Sequence, residues 1–387
     1  MKKVRLAVIG AGGMGSQHAQ NMKNVSRAEL TAVCDIDRKV ADAKAAQHSC
    51  KAFYSAGELL NARVADAVLI ATPHYDHTVI GIEALKKGYH VLVEKPISVH
   101  KADCERLLAA HTNKKQMFAA MFQMRTEPLY KKIKQVVDDG HLGGITRVNW
   151  IITDWFRSDA YYASGGWRAT WKGEGGGVLL NQCPHNLDLL QWICGMPCRI
   201  RAFCAIGKYH PIEVEDEVTA YLEFKNGATG VFVTTTGEAP GTNRLEICGE
   251  MGKLVIEGGR IVFTRNEIGQ KKFCKTTSER FSTPPVWHID IPVRGQAGLH
   301  TEIVQNFVDA ILDGIPLIAP AKEGLHSVEL ANAMLYSSMT GTTVNMPLDA
   351  AAFAKLLHRL INASKGRKKT AKKAAGNDIA SSFKRAG

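Results

Sequence analysis

Val4 to Ile9 is a short apolar run, and Gly10-Ala11-Gly12-Gly13-Met14-Gly15 follows it at once, ahead of a helical pattern over Met14 to Lys23. A strand that runs directly into spaced glycines and then a helix has few ways to fold. The first glycine permits a tight turn, the second lets the backbone approach a pyrophosphate, and the third lets helix and strand pack closely. The helix start then offers unpaired N–H donors and positive dipole to that anion. The pattern predicts a dinucleotide site on Gly10, Gly12, Gly13, Met14 and Gly15. Asp35 stands about 20 residues further on, at the end of the next predicted strand, where a carboxylate can accept hydrogen bonds from both adenosine ribose hydroxyls. The same charge repels a 2′-phosphate, so the expected cofactor is NAD, with NADP the lesser alternative. Ile36 borders the same site, and Arg38 and Lys39 follow closely enough to soften that preference.

Over the first 122 residues, β-rich apolar runs alternate with helical patterns: strands at Leu30 to Cys34, Ala67 to Ala71, His90 to Val93 and Met117 to Phe122, helices at Lys39 to Ala46, His77 to Lys87 and Lys101 to His111. That rhythm predicts a doubly wound parallel sheet. After Arg125 the rhythm changes. A helix over Leu129 to Asp139 precedes alternating runs at Thr146 to Ile152, Val218 to Phe224, Thr229 to Thr235 and Lys253 to Ile256. These predict an α+β domain with an open, mostly antiparallel sheet. Helical patterns return at Leu299 to Asp313 and Gly324 to Met339. The expected division is residues 1–122, 123–362 and a basic tail at 363–387.

The net charge of +12 invites a nucleic-acid reading until it is located. Residues 365–387 hold eight Lys/Arg against one Asp, more than half of the excess. That segment is rich in Ala, Lys, Gly and Ser and reads as a solvated end, without the interleaved aromatics that base stacking needs. A nucleic-acid partner is not expected. Nine scattered cysteines make a poor disulfide framework and show no zinc-finger spacing, and no early segment resembles a signal peptide or a membrane span. A reducing cytoplasm is the expected compartment.

Three further stretches carry chemistry. In Ala71-Thr72-Pro73-His74-Tyr75-Asp76-His77, which leaves a strand's carboxyl end, the two histidines lack a third metal ligand at helical spacing. The expectation is capping and packing beside the nicotinamide ribose, with Thr72, Pro73, His74 and His77 as cofactor contacts and no metal. Glu94-Lys95-Pro96 ends the next strand, where proline keeps Lys95 out of the helical region, permits a cis bond and leaves an ammonium facing the cleft. EGGGVLLNQCPHNLDLLQW, from Glu174 to Trp192, sets three glycines before a helix that carries His185 on its first turn and Asp188 one turn on, within reach of orienting the ring or a substrate hydroxyl.

In this order, GAGGMG, TPHYDH, EKP and GGGVLLNQCPHNLDLLQW resemble the Gfo/Idh/MocA family of oxidoreductases, and GEMGKL (Gly249 to Leu254) and GTTVNMPL (Gly341 to Leu348) resemble its later motifs. The likeness covers residues 3 to 348. It implies an N-terminal Rossmann domain, a C-terminal open-sheet domain that often forms dimers or tetramers, a nicotinamide dinucleotide, and sugar or polyol substrates. It also implies roles: Lys95 contacts the reacting hydroxyl, and His185 is the acid/base. An imidazole with an ordinary pKa of about 6.5 suits removal of a hydroxyl proton as hydride leaves for nicotinamide C4. Glu94 and Gln123 complete the expected cofactor contacts. The chain departs from the family at Asn181, where many members carry aspartate, and at Cys183, where glycine is common. Asparagine can hold a hydroxyl but cannot ionise.

The expected substrate face comprises Lys95, Arg125, Arg157, Trp167, Arg168, Asn181 and His185, chosen because aromatic faces with interspersed guanidiniums suit a sugar ring. The expected activity is NAD-dependent oxidation or reduction at a ring hydroxyl or ketone of a sugar, glycoside or cyclitol. Two alternatives stand beside it: a redox-neutral reaction that retains NAD through transient oxidation, and a non-catalytic NAD-binding regulator.

Overall fold

The computed structural model describes residues 2–365. Six strands, β1 (Val4–Ile9), β2 (Ala28–Cys34), β3 (Lys51–Phe53), β4 (Ala67–Ile70), β5 (His90–Val93) and β6 (Phe118–Ala120), form a parallel sheet in the order β3-β2-β1-β4-β5-β6. The reversal of direction at β1 opens a crevice at the strands' carboxyl ends, between β1 and β4, where the glycine loop lies. β1 and β4 are apolar almost throughout because helices cover both faces. The edge strand β3 and the helix Ala56–Ala62 went unanticipated: β3 has an exposed lysine, two half-buried residues and no apolar run to betray it.

A second sheet is built from β7 (Ile145–Ile152), β8 (Arg199–Ile206), β9 (Glu215–Glu223), β10 (Thr229–Thr235), β11 (Asn243–Gly249), β12 (Gly252–Glu257), β13 (Arg260–Asn266), β14 (Val286–Ile291) and β15 (Val344–Asn345). Their order is β14-β13-β12-β11-β7-β10-β9-β8-β15, antiparallel except for the parallel pair β7 and β10. Val148, Trp150 and Ile152 of β7, with Val218, Ala220 and Leu222 of β9, point inward to one core with the helices Pro184–Cys194 and Ala321–Thr340. The opposite face carries Ile151, Phe203, Tyr221 and Val231 exposed. The alternation predicted at β7, β9, β10 and β12 is therefore the pattern of a sheet covered on one side.

The core does not follow a cut at residue 122. Ile303, Val304, Phe307 and Val308 of the helix Leu299–Asp313 pack into the first domain's core, and Ala120 N–H donates to Ala319 O beside β6. The chain thus returns to its N-terminal half after building all but the last short strand, β15, of the second sheet. Lys101 ties the halves together, its Nζ lying 3.0 Å from Glu329 and 2.6 Å from Leu348 O. The last described helix ends at Ala363, and Ser364 Oγ donates to Glu213. The expected solvated tail lies, apart from its first residues, outside the described chain.

Candidate active site

Gly10 has a φ of +92°, and a Cβ there would lie 2.6 Å from Ala71 O; on Gly15 it would lie 1.6 Å from Gly10 O. Both positions exclude any side chain. Gly12, exposed at the start of the helix Gly13–Asn21, has nothing within 4 Å of where its Cβ would stand, which leaves the loop's outer surface and the helix N-terminus clear. Asp35 accepts from Ala11 N–H and Asp37 N–H, both at 2.9 Å, so its carboxylate is held between the loop and the end of β2. Ile36 beside it is 91% exposed. Arg38 stacks on Tyr54 with its guanidinium carbon 4.2 Å from the ring centre, an attachment that draws it toward Tyr54. Thr72 Oγ1, just beyond β4, is buried without a partner. A bare glycine cradle, a fixed carboxylate and an orphaned hydroxyl fit a dinucleotide.

His77 is a strut. Its Nδ1 lies 2.8 Å from Pro96 O and its Nε2 2.8 Å from Thr72 O, joining the turns after β4 and β5. Burial lowers its pKa, and a neutral ring donates to only one of the two carbonyls. His74, at the start of the helix His74–Lys86 behind the exposed Pro73, places Nδ1 3.3 Å from Glu174 O and packs edge-on to Trp167 at 5.7 Å. It thereby joins the first domain to the second.

The Lys95–Pro96 bond is cis. Glu94 Oε1 lies 2.7 Å from His18 Nε2, and its other oxygen accepts from Lys95 N–H at 3.1 Å. Burial pushes this carboxyl up, but the hydrogen bond and charge of His18, with His300 and Lys95 nearby, outweigh it and hold Glu94 at about 2. Lys95 Nζ reaches across the cleft and donates to Asn181 O at 3.0 Å. Burial lowers this ammonium's pKa, with Glu94 and Glu174 opposing.

On the other wall, a Cβ on Gly177 would come 1.9 Å from Glu215 O, so the glycine run lies directly on β9. The Glu215 carboxylate accepts from Gly177 N–H and Leu179 N–H, and burial pushes it up to about 7. Proline at the first position starts the helix Pro184–Cys194 and presents His185 next. His185 is 3% exposed, with Nε2 3.0 Å from Gln123 Nε2, while His185 Nδ1 and Gln123 Oε1 are buried without partners. Burial, reinforced by the Lys95 ammonium, pushes the imidazole well below its ordinary value. The ring is neutral at pH 7.

Two expectations are corrected. Asp188 does not orient His185, and Arg125 does not face a substrate: Arg125 Nε and Nη2 grip the two Asp188 oxygens at 2.8 and 2.6 Å, and Nη1 reaches Glu323 at 2.5 Å and Ile318 O at 3.1 Å. Both residues of the pair are 1% exposed. A planar guanidinium matches a carboxylate at two points, whereas an imidazole matches it at one, so the arginine takes Asp188.

Asn181 is a junction. Its backbone oxygen takes Lys95, its Nδ2 donates to Glu174 Oε1, and its Oδ1 accepts from Tyr161 OH at 3.3 Å. Arg168 Nη1 and Gln182 Nε2 both donate to Tyr161 OH, at 2.9 and 3.1 Å. Arg168 lies 4.8 Å from the ring centres of both Tyr161 and Trp167, and Arg157 lies 5.2 Å from that of Tyr161. The predicted Arg157, Trp167 and Arg168 therefore meet on one wall. Sequence reasoning assigned nothing to Glu174, although an acid heading a glycine run was a visible signal.

Residues 4–122 match the family model for the oxidoreductase family, NAD-binding Rossmann fold (GFO_IDH_MocA), and residues 130–255 match that for the GFO/IDH/MocA C-terminal domain. A myo-inositol 2-dehydrogenase of Thermotoga maritima is 26% identical over 66% of this chain and 76% of its own length. An inositol 2-dehydrogenase of Rhizobium meliloti is 23% identical over 86% and 96%. The crystal structure of the WlbA dehydrogenase from Bordetella pertussis, in complex with NADH and UDP-GlcNAcA, superimposes with a TM-score of 0.75 at 26% identity, covering 90% of this chain and 100% of that one.

Proposed function

The chain belongs to the Gfo/Idh/MocA oxidoreductases, with an NAD-binding Rossmann domain, and from that premise we propose that it is an NAD-dependent dehydrogenase acting on a ring hydroxyl of a sugar or cyclitol, or on the corresponding ketone. The observation that carries this reading is the meeting of Lys95, from the first domain, with Asn181 O, close in the chain to the imidazole of His185 and its open Nδ1.

Bound NAD supplies the hydride acceptor. Lys95 donates a hydrogen bond to the substrate oxygen and stabilises the negative charge that grows on it as the hydroxyl proton leaves, charge that becomes the C=O bond as hydride departs. His185, kept neutral by burial, takes the hydroxyl proton. With the Gln123 amide turned so that Oε1 accepts the ring's Nε2–H, the open Nδ1 receives that proton; in the reductive direction the same atom returns it. Arg157, Trp167 and Arg168 frame the ring of the substrate, apolar face against indole and hydroxyl edges toward guanidinium. The cofactor contacts are Gly10, Gly12, Gly13, Met14, Gly15, Asp35 and Ile36 on the adenosine side and Thr72, Pro73, His74, Glu94, Lys95 and Gln123 toward the nicotinamide.

The test is anaerobic NADH formation across a panel that includes myo-inositol, free pyranoses and UDP-N-acetylglucosaminuronate. Turnover of at least one compound is expected; absence of NADH from all, in both directions, overturns the reading. The exposed Ile151, Phe203, Tyr221 and Val231 on the open sheet face support self-association through that face, checked by light scattering of the wild type against a Phe203→Glu/Tyr221→Glu variant. Among the described residues the nine cysteines are free thiols, which supports a reducing cytoplasmic setting, and no described helix is long and apolar enough to cross a membrane.

A further inference from the structure

Lys95 brings a positive charge into a half-buried place that already holds guanidiniums. Arg168 and Arg157 act on it repulsively, and His74, His185 and His300 lie within its field. Two carboxylates oppose them, Glu94 and Glu174. Glu94 is already committed to His18 at 2.7 Å. Glu174 is not: its partners are the neutral Ala169 N–H at 2.6 Å and the neutral Asn181 amide, and it is 2% exposed. A buried carboxylate with neutral donors keeps its full charge available to a neighbouring cation.

We propose that Glu174 is a positioning carboxylate of this site, which through Asn181 fixes the carbonyl that receives Lys95 Nζ and supplies the negative charge that keeps Lys95 an ammonium among the surrounding guanidiniums. Asn181 makes the link because one residue faces both: Nδ2 toward Glu174, backbone oxygen toward Lys95. The side chain at 181 cannot ionise, so the charge it lacks resides seven positions earlier in the chain, folded back against it. Burial raises the Glu174 carboxyl, and Arg168, Ala169 N–H, Asn181 and Lys95 pull it back. Glu215 and the Tyr162 phenol complete the titratable groups around it.

The inference deepens the dehydrogenase reading, and its test is read on Lys95 itself so that the two stand or fall separately. Trace labelling with acetic anhydride across a pH series, in the NADH-bound protein and read by peptide mass spectrometry, gives the titration of Lys95 with no substrate present. Glu174→Gln should move that titration down by about one pH unit. Glu174→Gln combined with Asn181→Asp should return it toward the wild-type value. In the double variant the amide introduced at position 174 accepts from Ala169 N–H and donates to the carboxylate introduced at position 181, so every bond is retained and the charge has only moved. Where the single variant fails to fold, Glu174→Gln/Asn181→Asp is compared with Glu174→Gln/Asn181→Ser, which removes the charge while the hydroxyl introduced at position 181 can still accept from the amide at position 174, and the titration should again be lower in the uncharged variant. Unchanged Lys95 titration on loss of the Glu174 charge overturns the proposal, as does a double variant no better than the single. With a turned-over substrate in hand, the alkaline limb of kcat should move with the Lys95 titration while KM for NAD stays put.

Discussion

Two buried charge clusters meet on the helix Pro184–Cys194, one at His185 and one a turn on at Asp188, and they are built on opposite rules. Around Arg125 each guanidinium nitrogen has a partner: Asp188 takes two, Glu323 and Ile318 O the third. Around Lys95 and His185 bonding capacity is left over, with His185 Nδ1, Gln123 Oε1 and Thr72 Oγ1 buried and unpartnered and an ammonium whose burial works against its charge. A saturated cluster holds parts of the fold together; an unsaturated one is held open by the fold around it and can still bond a ligand.

Substitution should therefore move activity and stability in opposite proportion at the two places. Replacing His185 or Lys95 by Ala is expected to lower kcat by about 10²–10⁴-fold while NADH still binds, with stability unchanged or improved, since each removes a poorly satisfied buried polar group. Steady-state kinetics beside urea unfolding read both quantities; equal loss in both would erase the distinction. Arg125→Ala should do the reverse, destabilising the protein by about 3–5 kcal/mol by stranding Asp188 in the core. A urea midpoint near that of the wild type would show that the pair is dispensable.

Next in size is a pH effect. Glu94 is held at about 2 in the folded protein against an ordinary value of 4.5, so its contribution is whole above pH 4.5 and is lost as pH falls through 2. Its size is roughly 3 kcal/mol. The stability difference between wild type and Glu94→Gln should be constant near neutrality and shrink on acidification over that window; a constant difference down to pH 2 would contradict it. The smallest expected effect is at the cofactor's other end. Asp35→Asn should weaken NADH by about ten- to a hundredfold and narrow the gap to NADPH, as follows from losing a charged acceptor worth about 1.5–3 kcal/mol, and fluorescence titration measures both.

The legible parts of the molecule are those whose partners lie close in the chain. GAGGMG declares a turn because Gly10 takes a positive φ and a Cβ at Gly15 would meet the backbone of Gly10 just before it. The Pro184–His185 start of a helix, and the strand that delivers Lys95, were readable for the same reason. Illegible was the competition for Asp188, because Arg125 lies 63 positions away and nothing local favours it over His185. So too was the return of the helix Leu299–Asp313 to the first core, whose amphipathic pattern names a buried face without naming what buries it.

Turn geometry, strand and helix periods and the chemical types available to the site were written into the linear chain, since sterics and side-chain chemistry act over a few residues. Which carboxylate pairs with which cation came only with packing. Arg125 took Asp188, His18 took Glu94, and Glu174 was left beside Asn181, because buried charges choose partners by distance and geometry in space, where sequence separation has no influence.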